Sequence, residues 1–159
     1  MATENLKFTI ILSSTYWDKK PTCEISIGDK CYWSGEVGGT KEDPTVISFS
    51  HQCEENKEHR LILHRQGKGK NQTVVENGEI QKDQLLHIES IEIDEIDIGS
   101  LVYEGVYEPR YPEPWLTQQR ELGKEQPESL KNVTCMGHDG KWTFKFESPF
   151  YMWLLENLY

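Results

Sequence analysis

At 159 residues the chain has room for one ordinary domain with its own core and not for two well-developed ones. Seventeen lysines and arginines against 27 aspartates and glutamates leave a net charge of −10, which argues against nucleic acid as partner, because such binding draws its affinity from neutralised phosphates. Apolar residues make up only 36%, yet 5 Trp, 7 Tyr and 5 Phe bring large burial per residue, so the composition predicts a folded domain rather than a disordered chain. The apolar runs fall far short of the roughly 20 residues that span a bilayer, and Met1-Ala2-Thr3-Glu4-Asn5 lacks the basic and apolar regions of a signal peptide. Neither a membrane nor export is expected.

The N-terminal half reads as short strands of period two. Lys7 to Ser13 is β-rich, and Asp18-Lys19-Lys20-Pro21 breaks it. In Thr22 to Ile27, Cys23, Ile25 and Ile27 share one face. Gly28-Asp29 supplies hairpin chemistry before Cys31 to Val37, and Thr45 to Ser50 and His59 to Arg65 alternate in the same way, with Leu61 and Leu63 on one side. Gly67 to Gln84 is the longest irregular excursion of this half. Leu85 to Ile93 returns to strand, and Ile93-Asp94-Glu95-Ile96 fits a two-residue hairpin. Strands at this spacing, with no sustained helical period between them, predict an all-β antiparallel sandwich, jelly-roll-like, over 1–99.

From residue 100 the texture changes to a Pro- and aromatic-rich C-terminal extension (100–159). Gly105 to Trp115 reads as an extended arm rather than a ladder strand, and Thr117 to Gln126 as at most a short helix. Leu130 to Met136 reads as a strand, and His138-Asp139-Gly140-Lys141 as a hairpin turn into Trp142 to Phe146. The tail from Pro149 is apolar almost throughout and must be covered by something.

Four cysteines without a C-x-x-C pair or finger spacing are expected as reduced thiols, with Cys23 and Cys31 as core filler. Residues 76–108 hold ten acids against one lysine, a local charge of −9. Two readings stand: carboxylates near a Gly-rich loop holding Ca²⁺, or a solvated acidic face. A glycoside hydrolase needs one selected carboxylate pair, and nothing selects one, so an enzyme is not expected. Two aromatic sets remain. Tyr16, Trp17, Tyr32 and Trp33 lie at strand ends, where rings can stack on sugars. Tyr103, Tyr107, Tyr111 and Trp115 recur every four residues and, with Trp153 and Tyr159, suggest a surface that docks on another chain.

Residues 7–98 resemble the calcium-dependent xylan-binding type of carbohydrate-binding domain. The resemblance rests on Phe8-Thr9-Ile10-Ile11-Leu12-Ser13 followed by Tyr16-Trp17, a Lys20-Pro21 step, Glu24-Ile25-Ser26-Ile27-Gly28-Asp29-Lys30 closed by Ser34-Gly35, and Lys82-Asp83-Gln84-Leu85 entering the strand Ile88 to Ile93. It implies a sandwich that binds sugar hydroxyls through Ca²⁺, with Asp83 as a ligand. The second acid of that pattern is replaced here by Arg65-Gln66. As a whole the chain also resembles small structural proteins of tailed bacteriophages. That likeness implies a non-enzymatic virion protein made in the host cytoplasm, a capsid decoration or tail attachment module. Its expected partners are other virion subunits or itself, with cell-surface glycan contact; a calcium-dependent carbohydrate-binding module is the alternative.

Overall fold

The computed structural model describes residues 2–69 and 71–158. In chain order it contains β1 (Thr3–Thr15), β2 (Thr22–Ile27), β3 (Lys30–Glu36), β4 (Thr45–Glu54), β5 (Lys57–Gln66), β6 (Val74–Glu76), β7 (Glu79–Lys82), β8 (Leu85–Ile93) and β9 (Ile96–Asp97). A 3-10 helix (Gly99–Glu104), β10 (Val106–Pro109), α1 (Trp115–Glu121), β11 (Leu130–Lys131), β12 (Cys135–Met136), β13 (Gly140–Ser148) and α2 (Phe150–Leu158) follow. One antiparallel sheet runs β12-β8-β1-β4 with β9 beside β8, a second runs β11-β10-β13-β5-β2-β3, and β6 and β7 pair as a separate two-stranded ribbon; the two large sheets face each other. Their inner faces share one core, so the molecule is the antiparallel β-sandwich that the strand spacing predicts.

Period-two patterning builds that core directly. Leu6, Phe8, Ile10 and Leu12 of β1 meet Leu61 and Leu63 of β5 and Trp142, Phe144 and Phe146 of β13. In β8 the buried phase switches from Leu86 and Ile88 to Ile91 and Ile93 because the register slips at Glu89, where Leu12 faces Ile88 while Ile11 faces Ser90. The extra residue is a β-bulge, and it aims Glu89 at the buried Ser13 hydroxyl, which donates to it at 2.6 Å. The β8–β9 turn has the geometry a two-residue hairpin demands, with positive φ at Asp94 (52°) and Glu95 (67°).

The C-terminal third departs from several expectations. Val106 to Pro109 is a ladder strand, β10, paired with β13 and β11, and not a free polyproline arm. Its entry at Gly105 lies against the Trp142 indole so closely that a Cβ there would stand 2.2 Å from the ring. Leu130 to Met136 is not one strand: β11 and β12 belong to opposite sheets, and Asn132 turns between them at φ 62°. His138 to Lys141 is accordingly a crossing between sheets and not a hairpin. β13, framed by β10 and β5, is an inner strand. The tail forms α2, which seats Phe150 and Leu154 in the core. Neither helix is long and apolar enough to cross a membrane.

Candidate functional site

At the end of β1, three loops are tied together by side chains that span them. The β1–β2 loop carries Tyr16 and Trp17, 40% and 43% exposed. The Trp17 indole N–H donates to the main-chain carbonyl of Gln72 at 2.8 Å, which fixes the ring against the β5–β6 loop. Gln72, itself buried, donates through Nε2 to Asp18 Oδ2 at 3.1 Å. Gln84, at the start of β8 and fully buried, donates to the Lys19 carbonyl at 2.8 Å. Two buried amides therefore clamp the loop immediately after the exposed ring, at Asp18 and Lys19. The Lys82 ammonium lies over the Trp17 ring, 4.7 Å from its centroid, and that of Lys20 over the Tyr16 ring at 6.0 Å, so each ring has a cation on one face.

A buried arginine supports this clamp. Arg65 continues the inward phase of Leu61 and Leu63, so its guanidinium enters the core end. There it donates to the Gln84 carbonyl and Oε1, both at 2.7 Å, and to the Met136 carbonyl. Burial lowers its pKa, but a guanidinium stays charged at any physiological pH. Lys68 extends the network, donating through its ammonium to the Gly137 carbonyl and through its backbone N–H to Asp139 Oδ1 at 3.1 Å.

The residues at Asp83 do not fit the calcium that the resemblance implies. Its Oδ1 accepts from Thr73 Oγ1 at 2.6 Å and the Gln84 N–H at 2.8 Å, and it pairs with the Lys68 ammonium at 3.3 Å. Burial alone would raise this carboxyl; the hydrogen bonds and the ammonium outweigh it and hold the group below the usual carboxylate range. Calcium takes six to eight oxygens and tolerates no ammonium within its shell. A lysine occupies the electrostatic role here, and Arg65 stands where a second acid is expected.

The other predicted residues are dispersed. Tyr32 and Trp33 pack against the core, Tyr32 stacked on Phe49 with centroids 4.5 Å apart, so neither is a free stacking surface. Tyr107 is buried at 2% exposure and bonds the backbone of His138, which corrects its expected place on a docking face. Tyr111 and Trp115 lean on the His138 ring at 5.0 and 5.6 Å, and Tyr103 is exposed on the 3-10 helix. Trp153 packs edge-on to Phe144 and borders an open groove of about 670 Å³ whose walls mix Arg60, Lys131 and Lys145 with Glu104 and Glu108. Tyr159 lies outside the described residues. Cys23 and Cys53 are buried, whereas Cys31, expected in the core, is exposed, because a bulge at Ile25/Ser26 shifts the β2–β3 register.

No protein-family model matches the chain, and no curated protein matches it. Among solved structures it is similar to the selenomethionine form of vCBM60, described with two families of calcium-dependent carbohydrate-binding modules linked by circular permutation. That match has a TM-score of 0.48 and 6% identity, covering 87% of this chain and 89% of the other. It is also similar to vCBM60 in complex with galactobiose, with a TM-score of 0.47 and 8% identity over 87% of this chain and 96% of the other.

Proposed function

We propose that the chain is a non-catalytic carbohydrate-binding module that stacks a sugar ring on Trp17, with Tyr16 beside it, and does so without calcium. The observation that carries this reading is the exposed Trp17 held by a hydrogen bond from its own indole N–H to Gln72, in a loop clamped by buried amides. A ring fixed before the ligand arrives has no rotamer freedom left to lose, and its apolar face suits the C–H face of a pyranose. Asp18 follows it in the loop as an acceptor for sugar hydroxyls, and Lys82 lies over one face of the ring, so the sugar stacks on the opposite face.

Calorimetry of the intact chain against a panel of soluble polysaccharides tests the proposal. Trp17→Ala should weaken binding at least tenfold, with the fold intact by circular dichroism, while Tyr32→Ala should leave affinity nearly unchanged. Equal affinity of Trp17→Ala and the parent chain would overturn it.

A second reading, a structural module docking on other subunits of an assembly such as a virion, is favoured by a different feature. The outer side of α2 exposes Tyr151, Met152, Leu155 and Leu158, each between 47% and 62%. Under that reading Leu155→Glu shifts the sedimentation of a self-associating chain, whereas a glycan module sediments alike with and without it.

A further inference from the structure

At the opposite end of β1 from Trp17, three metal-binding side chains converge from two sheets. His51 and Cys53 sit on β4 in the inward phase of Ile47, and His59 sits on β5 in the inward phase of Leu61. Because β4 and β5 belong to different sheets, the connection at Glu55-Asn56 folds these two inward faces onto each other at one corner of the sandwich. One ring nitrogen of each histidine and the Cys53 sulfur all lie within 4.8 Å of one another. Ligand atoms around a tetrahedral zinc, with bonds of about 2.0–2.3 Å, are about 3.3–3.6 Å apart, so a closing of roughly an ångström completes the geometry.

We propose that His51, Cys53 and His59 form a binding site for a zinc-class divalent cation, with the fourth position open to water. Each histidine has one ring nitrogen engaged by a neighbour. His59 Nε2 meets the Glu54 carbonyl at 2.9 Å, and His51 Nδ1 meets the Tyr32 hydroxyl. A carbonyl on one nitrogen fixes the tautomer and leaves the other lone pair for the metal, the usual outer-sphere support of a ligating histidine. Cys53 is fully buried while both histidines are partly exposed, so the ion enters from the histidine side and meets the sulfur last. On binding, the Cys53 thiol releases its proton to solvent and the sulfur bonds as thiolate, with no change in oxidation state.

The test is Co²⁺ titrated anaerobically, under reducing conditions, into a chain carrying Cys31→Ser and Cys135→Ser, which removes the exposed thiols. The expected result is a thiolate-to-cobalt absorption with the visible bands of a tetrahedral ion, saturating at one equivalent and displaced by Zn²⁺. Cys53→Ser should abolish the thiolate band, and His51→Gln or His59→Gln should weaken affinity at least tenfold. No spectral change at stoichiometric Co²⁺, or a band that survives both histidine substitutions, would overturn the proposal. X-ray absorption of the zinc-loaded chain with Cys53 and both histidines intact gives a readout independent of those variants: one sulfur and two imidazoles are expected, and a shell without sulfur overturns the site.

Discussion

His138 shows how one side chain couples the fold to pH. Its ring forms a cluster with Tyr111 and Trp115, its Nδ1 is buried without a hydrogen-bond partner, and burial, with Lys68 and Arg65 nearby, pushes its pKa down to about 4. An unfolded histidine titrates near 6.5, so between pH 6.5 and about 4 the unfolded chain holds the extra proton and folding loses free energy as pH falls. The loss should approach 2–3 kcal/mol, an order-of-magnitude figure from the size of the shift. His64 and His87 are shifted downward by burial as well and steepen the same window. Urea denaturation should show stability flat above pH 7 and falling towards pH 5, and His138→Gln should flatten that slope. A second residue-scale outcome concerns Arg65. Arg65→Met leaves the Gln84 and Met136 carbonyls without their donor and should cost about 2–4 kcal/mol in the same assay. That inward arginine was legible in the sequence, since it keeps the phase of Leu61 and Leu63. The partners of Gln72 and Gln84 were not, because the amides bond to Asp18 and Lys19, which stand more than 50 residues away in the chain and meet them only once the sandwich closes.

At the scale of elements, α2 decides whether the tail is core or strap. Glu4 of β1 accepts the Phe150 N–H and the Ser148 hydroxyl, both at 2.6 Å, so the first strand receives the last helix where it begins. Phe150 and Leu154 are buried. Large-to-small changes at such positions cost about 2–5 kcal/mol, so Leu154→Ala should lower stability by about that amount. Truncation after Ser148 removes both anchors and should abolish the cooperative transition by circular dichroism; a truncated chain that unfolds with the parent midpoint would show the tail to be dispensable. Strong alternation made β2, β5 and β8 readable in advance, and Asp94-Glu95 announced its own hairpin. β10, β11 and β12 are two to four residues long and owe their strand geometry to partners far along the chain, such as Val106 against Thr143 and Cys135 against His87. No period can emerge from segments so short, and the prolines around β10 disguise it further. The aromatic repeat from Tyr103 to Trp115 misled for a related reason: an extended arm would leave its rings for a partner, but the segment is a 3-10 turn, a paired strand and a loop leading into α1, which send Tyr107 inward and Tyr103 outward.

For the whole molecule, the two ends of the sandwich carry different chemistry. One end presents Tyr16 and Trp17 on a clamped loop bordered by lysines, and the other gathers His51, Cys53 and His59 at the crossing from β4 to β5. The two lie about ten residues apart along β1, roughly 30 Å, because His51 pairs with Leu6 while Trp17 follows the end of the strand. A change at one end should therefore leave the other undisturbed. The acidic excess in 76–108 includes Asp83, whose carboxylate pairs with the Lys68 ammonium. Calcium is thus expected to add nothing: Tm should be the same with millimolar Ca²⁺ and with EGTA, whereas a calcium-dependent module would gain stability with the ion bound. The most direct measurement of the central claim is calorimetric titration of a glycan panel into the intact chain and into Trp17→Ala, each with Ca²⁺ and with EGTA. The account predicts sugar binding that is indifferent to EGTA and lost with Trp17. Binding that disappears with EGTA and survives Trp17→Ala would contradict it.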